Sequence, residues 1–545
     1  MEIEANLVDI RRREIYPARI VTEGNRVRSV TKSDTPCSTY LLPGFIDAHI
    51  HIESSMLPPS EFARLAVRHG TVATVSDPHE IANVLGIEGV EFMLGNAGKV
   101  PFKFYFGASP CVPATPFETS GATLGVEEVK ALLRRPQIKY LSEMMNFPGV
   151  ISGDTDILAK IEAAKALGKP VDGHAPGLRG EDLKRYINAG ITTDHEAFTY
   201  EEGLEKIQNG MKIIIREGSA ARNFEALSPL IKSHADMLMF CSDDRHPNDL
   251  YREHINALVK RAVAKGYDLF DVLRIACLNP IEHYGLDVGS LGAGDRADFI
   301  EVDNLSDFTV LRTVIDGETV AKNGTTLIPS VPIPEINNFH TGGKRPEDFA
   351  LPFCENVEVI QAVDHELITH EMVVSLKNVP ADHVGDPEHD ILKIAVVNRY
   401  EDAPPAVAYV NGFGLKRGAI ASSVAHDSHN IIAVGCSDEA IAEAVNLVIE
   451  AQGGVCALND TQKHLLPLRI AGIMSAGDGF EVAAKYEALD RFAKEALGST
   501  LDTPFMTLSF MALLVIPELK LSDKGLFDGR TFHFIKGCRS SEEAR

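Results

Sequence analysis

A central (β/α)8 barrel of the TIM type, with a small β-sandwich built from both of its flanks and an α/β domain after it, is the fold that the sequence predicts. Three observations carry this. Residues 41–285 alternate strand-like and helix-like segments at a regular pace, the pattern of βα units around a parallel sheet. The stretches on either side of that region are rich in short strands and turns. Polar residues mark the C-terminal ends of many of the proposed strands, as they must if all strands deliver side chains to one face. An open doubly wound sheet shares the alternation but lacks that last reason.

Residues 1–40 read as short strands about the turn signal Glu23-Gly24-Asn25 and cannot bury a core alone. Their partner is the β-rich stretch with Gly292-Ala293-Gly294-Asp295-Arg296-Ala297-Asp298 and Val314-Ile315-Asp316-Gly317, so 1–40 and 286–335 are expected to form one small domain. The barrel, 41–285, opens on the apolar run from Leu41 through Pro43-Gly44 to His51, taken as a single buried strand. Seven more strands fit 71–76, 102–108, 138–143, 171–174, 191–195, 212–215 and 237–242. Helices fit 60–69, 154–167 and 180–189, and Thr199-x-x-Glu202 is a capping box for another. The turn-rich segment 330–346 ends this part. Residues 346–545 form the last domain, with strands near 394–397 and 431–434 and a helix over 438–450.

The chain has 545 residues, 45% of them hydrophobic, enough for several true cores. With 53 Lys and Arg against 77 Asp and Glu its net charge is −24, a surface that repels phosphate backbones and anionic lipid. Neither nucleic acid nor membrane is expected as a partner. No apolar run approaches the roughly 20 residues of a membrane span, and the N-terminus lacks a signal-peptide core, so a cytoplasmic protein is expected. The eight cysteines are scattered without a Cys-x-x-Cys pair and read as reduced core residues.

His49 and His51, two apart on one strand, project from the same face and can offer two neutral nitrogens to a divalent ion. Alone, such a pair is as well explained by ordinary strand-end hydrogen bonds. The other proposed strand ends add Glu143, His174, His195 and Asp243. Four imidazoles and two carboxylates can hold two divalent ions, with one carboxylate bridging them.

The strand Pro43-Gly44-Phe45-Ile46-Asp47-Ala48-His49-Ile50-His51, the later His and Asp residues and the segment at 292–298 resemble the amidohydrolase superfamily. Many of its members bridge their metals with a carboxylated lysine on the fourth strand; Ser142-Glu143-Met144 stands there instead, so Glu143 can bridge directly. With Asp77-Pro78-His79-Glu80, Arg216-Glu217-Gly218-Ser219, Ser242-Asp243-Asp244-Arg245 and Ser423-Val424-Ala425-His426-Asp427-Ser428-His429-Asn430, the chain closely resembles the bacterial adenine deaminases over nearly its full length.

That resemblance implies hydrolytic deamination of adenine to hypoxanthine and ammonia in purine salvage, with adenine as the small-molecule partner. It also implies two divalent metal ions as cofactors, Mn2+ or Fe2+ before Zn2+, which lower the pKa of a water and supply hydroxide near neutral pH. Metal ligands are then His49, His51, Glu143, His174, His195 and Asp243, and Asp243 also takes the proton of that water. His79 and Asp77 follow the second strand outside the metal set, as proton shuttle or substrate polariser, or else as a helix cap with a loop hydrogen bond. Glu53 is a candidate for protonating the purine, against the plainer reading of a solvated loop carboxylate. Ser54, Ser219 and Arg222 are candidate substrate contacts, Arg222 serving equally well as a surface ion pair. Asp244 and Arg245 are read as an ion pair orienting the Asp243 loop, and His426, Asp427 and His429 as a structural or pocket-closing turn in preference to a third metal site. A homo-oligomer, a dimer, is expected. Opening of a cyclic ureide or hydantoin, and a metal-binding protein without turnover, are the competing functions.

Overall fold

In a computed structural model the described residues are 1–352, 354–376 and 385–539. Eight parallel strands form the centre: Phe45–Ile50, Thr71–Ser76, Lys103–Ala108, Ile138–Met144, Val171–Gly173, Thr193–Asp194, Lys212–Arg216 and Leu238–Cys241. The first five pair in sequence, as do the last three. The Thr192 amide donates to Val171 O at 2.9 Å, and Ile50 bridges Asp243 in parallel, so that both seams close and the sheet curls into a barrel. The strands are apolar, β-branched runs with both faces covered; every residue of Thr71–Ser76, for instance, is buried. The parallel barrel matches the fold class predicted from the alternation, and each strand lies within a residue or two of its predicted place, the first excepted.

That first strand is the correction. The run from Leu41 to His51 is two strands, divided at Gly44. Tyr40–Pro43 leaves the barrel and pairs in parallel with Glu2–Asp9 and antiparallel with Phe299–Val302. It is the middle of an eight-stranded sheet that begins at Thr325–Thr326 and ends at Arg26–Lys32, uniting both flanks of the chain. Only Phe45–Ile50 joins the barrel. Apolar patterning could not separate the halves because both are fully covered. The dividing residue has no room for a side chain: a Cβ on Gly44 would lie 2.3 Å from Val72 Cγ1 and 2.9 Å from Val72 Cβ on the neighbouring strand.

The C-terminal part is built on a nine-stranded sheet that includes Leu392–Val397 and Ile431–Gly435, with helix Asp438–Ala451 packed against it. Ser437 caps that helix by accepting from the Ala440 amide, and Asp438 and Glu439 complement its positive end. Helix Gly479–Glu495 runs back towards the barrel, where Asp478 meets Arg64 at 2.7 Å and the Gly479 amide donates to Glu61 at 2.9 Å. The cysteines expected to be reduced include one exception: Cys354 and Cys538, 184 residues apart, form a disulfide, a pairing that their spacing could not reveal.

Two measurements test this packing. Gly44→Ala forces a methyl into Val72, and overpacking of this kind costs about 1–3 kcal/mol; a lower urea midpoint with unchanged slope is the expected result. His69, buried where its Nε2 meets Leu250 O at 3.0 Å, has its pKa pushed down to about 3 by burial, with His254 and Arg68 adding to the shift. The unfolded chain therefore takes up a proton near pH 6.5 that the folded chain refuses, so stability present above that pH is lost as pH falls towards 3. His69→Gln is expected to remove about 2 kcal/mol of the stability lost between pH 7 and 5, read from denaturation at both pH values.

Candidate metal centre

The strand ends converge at the C-terminal mouth of the barrel. On the first strand, alternation sends Asp47, His49 and His51 to one face. Asp47 is the anchor. Its Oδ1 accepts from the Ser242 amide at 3.0 Å, and its Oδ2 accepts from Ser242 Oγ and faces His254 Nε2 at 2.8 Å. The first and eighth strands are thereby locked one residue before Asp243, whose backbone takes the left-handed conformation at φ 53°. Asp243 N in turn donates to His49 O at 3.0 Å.

Glu143 lies at the centre. Its Oε1 is 3.2 Å from His51 Nε2 and 3.3 Å from His79 Nδ1, while its Oε2 is 2.8 Å from His174 Nδ1 and 3.2 Å from His195 Nε2. Asp243 Oδ1 faces His51 at 3.2 Å and His49 at 3.5 Å. All six strand-end groups singled out in the sequence thus meet, and within them His49, His195 and Asp243 form one close set and Glu143, His174 and His195 another. His79 and Asp77, expected outside the set, share a third with His51 and Glu143.

The chemistry of this donor set fits divalent ions. Among the described residues His49 Nδ1 has no hydrogen-bond partner and Nε2 has only the long 3.5 Å contact to Asp243 Oδ1, a state that is costly for a buried imidazole unless a ligand takes a lone pair. Burial, and then neighbouring His195, lower the His49 pKa, which keeps its ring neutral as a ligand must be. His51 Nδ1 faces the Asp77 carbonyl at 3.2 Å; donation there leaves Nε2 with its lone pair towards Glu143 and Asp243. Burial raises the carboxyl of Glu143, but the charge of His174 and the close approach of the surrounding imidazoles outweigh it and hold Glu143 well below the usual range. Imidazole with carboxylate suits Mn2+, Fe2+ or Zn2+.

Sequence reasoning missed the groups that hold these ligands. Arg216, the last residue of Lys212–Arg216, is fully buried; its guanidinium donates to Asp243 Oδ2 at 2.6 Å and pairs with both oxygens of Glu196. The rule that found the other strand ends applies equally to an arginine that closes the apolar Ile213-Ile214-Ile215. Glu196, next to His195, is 3.7 Å from His174 Nδ1 and 3.6 Å from His195 Nε2.

Of the remaining candidates, Asp77 accepts from Ser109 Oγ at 2.6 Å and faces His79 Nδ1 at 3.1 Å. Glu53 is not a solvated loop residue: it is 2% exposed, accepts from the Ile81 amide at 3.3 Å, and burial pushes it up to about 7. Ser54 donates to Asp244. Asp244 is not paired with Arg245, which donates instead to the Glu217 carbonyl at 3.0 Å. Ser219 and Arg222 are not brought to the metal pocket. Ser219 Oγ is spent on Asp249 at 2.6 Å, and Arg222 binds the carbonyls of Gly218 and Ser219 and lines a separate polar cavity of about 250 Å3.

The C-terminal part closes the pocket with Leu367, His426, Asp427, Phe510, Leu513 and Ile516. A wider, largely apolar vestibule of about 580 Å3 adjoins it, sharing Met145, Glu196, Leu367 and Ile516. One barrel carboxylate holds this wall: Glu80 meets His426 Nδ1 at 2.7 Å and His429 Nε2 on its other oxygen. The expected pocket-closing turn is therefore clasped from the barrel. Lys520 secures two further wall residues by donating to Leu367 O at 2.7 Å and Phe510 O at 3.0 Å.

A barrel with imidazoles and carboxylates converging at its mouth defines the class, and residues 40–320 match the amidohydrolase family. Residues 366–533 match the adenine deaminase C-terminal domain. The chain is 68% identical to an adenine deaminase from Sulfurovum sp. (strain NBC37-1), over 99% of this chain and 100% of the other. It is 56% identical to one from Salinibacter ruber, over 98% of each chain, and 51% identical to one from Methanosarcina acetivorans, over 97% of this chain and 98% of the other. The chain belongs to the adenine deaminase family.

Arg216 tests how far the ligand frame depends on its supports. Arg216→Met leaves Glu196 and Asp243 buried without their cation, and breaking such a pair costs about 3–5 kcal/mol. A drop of that size in urea denaturation is expected.

Proposed function

We propose that the chain is an adenine deaminase, converting adenine and water to hypoxanthine and ammonia in the cytoplasm as a homodimer. The observation that carries this is the position of the Glu143 carboxylate among His51, His79, His174 and His195 beneath a wall from the adenine deaminase C-terminal domain. Among the described residues no helix is long and apolar enough to cross a membrane.

Two divalent ions, Mn2+ or Fe2+ with Zn2+ as the alternative, would be held by His49, His51, Glu143, His174, His195 and Asp243. When bound they supply the Lewis acidity that makes water a nucleophile near neutral pH. The residues do the rest. Asp243 keeps Oδ2 on Arg216, so Oδ1 is the oxygen left to take the proton of the attacking water. Burial raises the Asp243 carboxyl, but the charge of Arg216 and the hydrogen bonds of His49 and His51 outweigh it and keep it ionised, ready to act as a base. His79 is gripped by Asp77 at Nδ1 and Glu80 at Nε2, each at 3.1 Å, and places its charge beside the reacting edge of the purine. Glu53, held by the Ile81 amide with its carboxyl pushed up to about 7, is the proton reserve for the ring nitrogen N1. As water adds at C6, N1 gains a proton; the exocyclic amine then takes a proton and leaves as ammonia. Leu513, Ile516 and Phe510 exclude bulk water from the site.

The test is ammonia release and the ultraviolet change of Mn-loaded protein with adenine, beside adenosine, cytosine and hydantoin. Turnover of adenine alone is the expected result, and opening of hydantoin with adenine untouched would overturn the reading. Asp243→Asn should keep its circular dichroism and lose about 10³-fold or more in kcat, the upper part of the range for a lost general base. Glu143→Gln should bind fewer metal ions per chain by elemental analysis.

A further inference from the structure

On the part of the pocket wall that the C-terminal region supplies, His426 Nε2 and Asp427 Oδ2 are buried and have no hydrogen-bond partner among the described residues. Both residues come from the C-terminal part, and both are held in place. The His426 ring has Nδ1 on Glu80 at 2.7 Å and stacks on Phe510 at 4.5 Å, so Nε2 points across the pocket towards Asp244, 3.9 Å away. The other oxygen of Asp427 lies 3.9 Å from His79 Nε2, beyond hydrogen-bond range. Buried polar atoms are rarely left unmade, and two neighbours facing one cavity point to a ligand that completes them. Burial lowers the His426 pKa, but Glu80 and Asp244 outweigh it and bring it to about 9, so Nε2 carries a proton at neutral pH. The wall therefore presents a donor beside an acceptor.

The inference that follows rests on the adenine reading above. With C6, N1 and the amine at the metal ligands, N7 remains as a lone acceptor and the N3 with N9–H edge as an acceptor beside a donor that takes no part in the reaction. We propose that Asp427 Oδ2 accepts the ring N9–H of adenine while His426 Nε2 donates to N3, so that the C-terminal domain selects the free base over N9-substituted purines. No bond is made or broken by this pair; Asp427 and His426 are specificity-determining residues. A substituent at N9 removes the proton that Asp427 takes and sets a carbon against a buried carboxylate. Sites built to hydrogen-bond a group discriminate strongly against analogues without it.

The test is kcat/KM for adenine and for 9-methyladenine, with Mn-loaded wild type and Asp427→Ala. Wild type should prefer adenine by about 10²-fold or more, within the range for a lost buried hydrogen bond. In Asp427→Ala the preference should collapse to within about threefold, chiefly through a higher KM for adenine. Equal loss on both bases, or an undiminished preference, overturns the proposal. Wild type that uses both bases equally overturns it whether or not the variant folds. Wild type that deaminates neither base counts against the deaminase reading itself, and is told apart from the other outcomes by that silence.

Discussion

The structure depends on one carboxylate surrounded by imidazoles. Glu143 is buried, and an ionised carboxylate in such a place is tolerated only when charge and hydrogen bonds surround it. Four histidines meet it, from the first, second, fifth and sixth strands or the segments just beyond them. This requires those strands to end at one level. The barrel's closure by Ile50 against Asp243, and the Asp47–Ser242 lock beneath it, bring the eighth strand to that level as well. A tight, closed sheet is thus a condition of the site as well as its frame.

Around this centre the chain spends its buried charges on orientation. Arg216 fixes one oxygen of Asp243 and so determines which oxygen faces His49 and His51. Asp77 holds both the His79 ring and, through its carbonyl, His51. These are supporting contacts of the kind that set tautomer and angle, and without them strand-end ligands would be present but loosely aimed.

Much of this was legible in the sequence because a parallel barrel reduces to a simple local rule. Alternation located eight strands, and reading each strand end yielded His49, His51, Glu143, His174, His195 and Asp243, which do converge. Arg216 fell to the same rule but was passed over, since an arginine after three isoleucines reads as the edge of a strand. Other features had no local signal. The division at Gly44 depends on Val72, which crowds the strand from its neighbour. Ser219 and Arg222 follow the right strand, yet the turn after it sends them towards Asp249 and away from the pocket, and side-chain direction in a loop is not periodic. The wall from Leu367 to Ile516 is brought in by contacts hundreds of residues apart, as is the Cys354–Cys538 bond.

The clasp of Glu80 on His426 spans 346 residues. Its ends lie in two regions with separate family matches, 40–320 and 366–533. The strand-end imidazoles and carboxylates and the wall that closes over them are consequently written on different lengths of the gene, joined in space by Glu80 together with contacts such as Arg64–Asp478 and Glu61–Gly479. Mutations in the second region can reshape the wall while the strand-end groups stay in place. The reverse holds only while Glu80 and its two histidines are kept together, which makes that triplet the hinge on which any divergence between the two halves must turn.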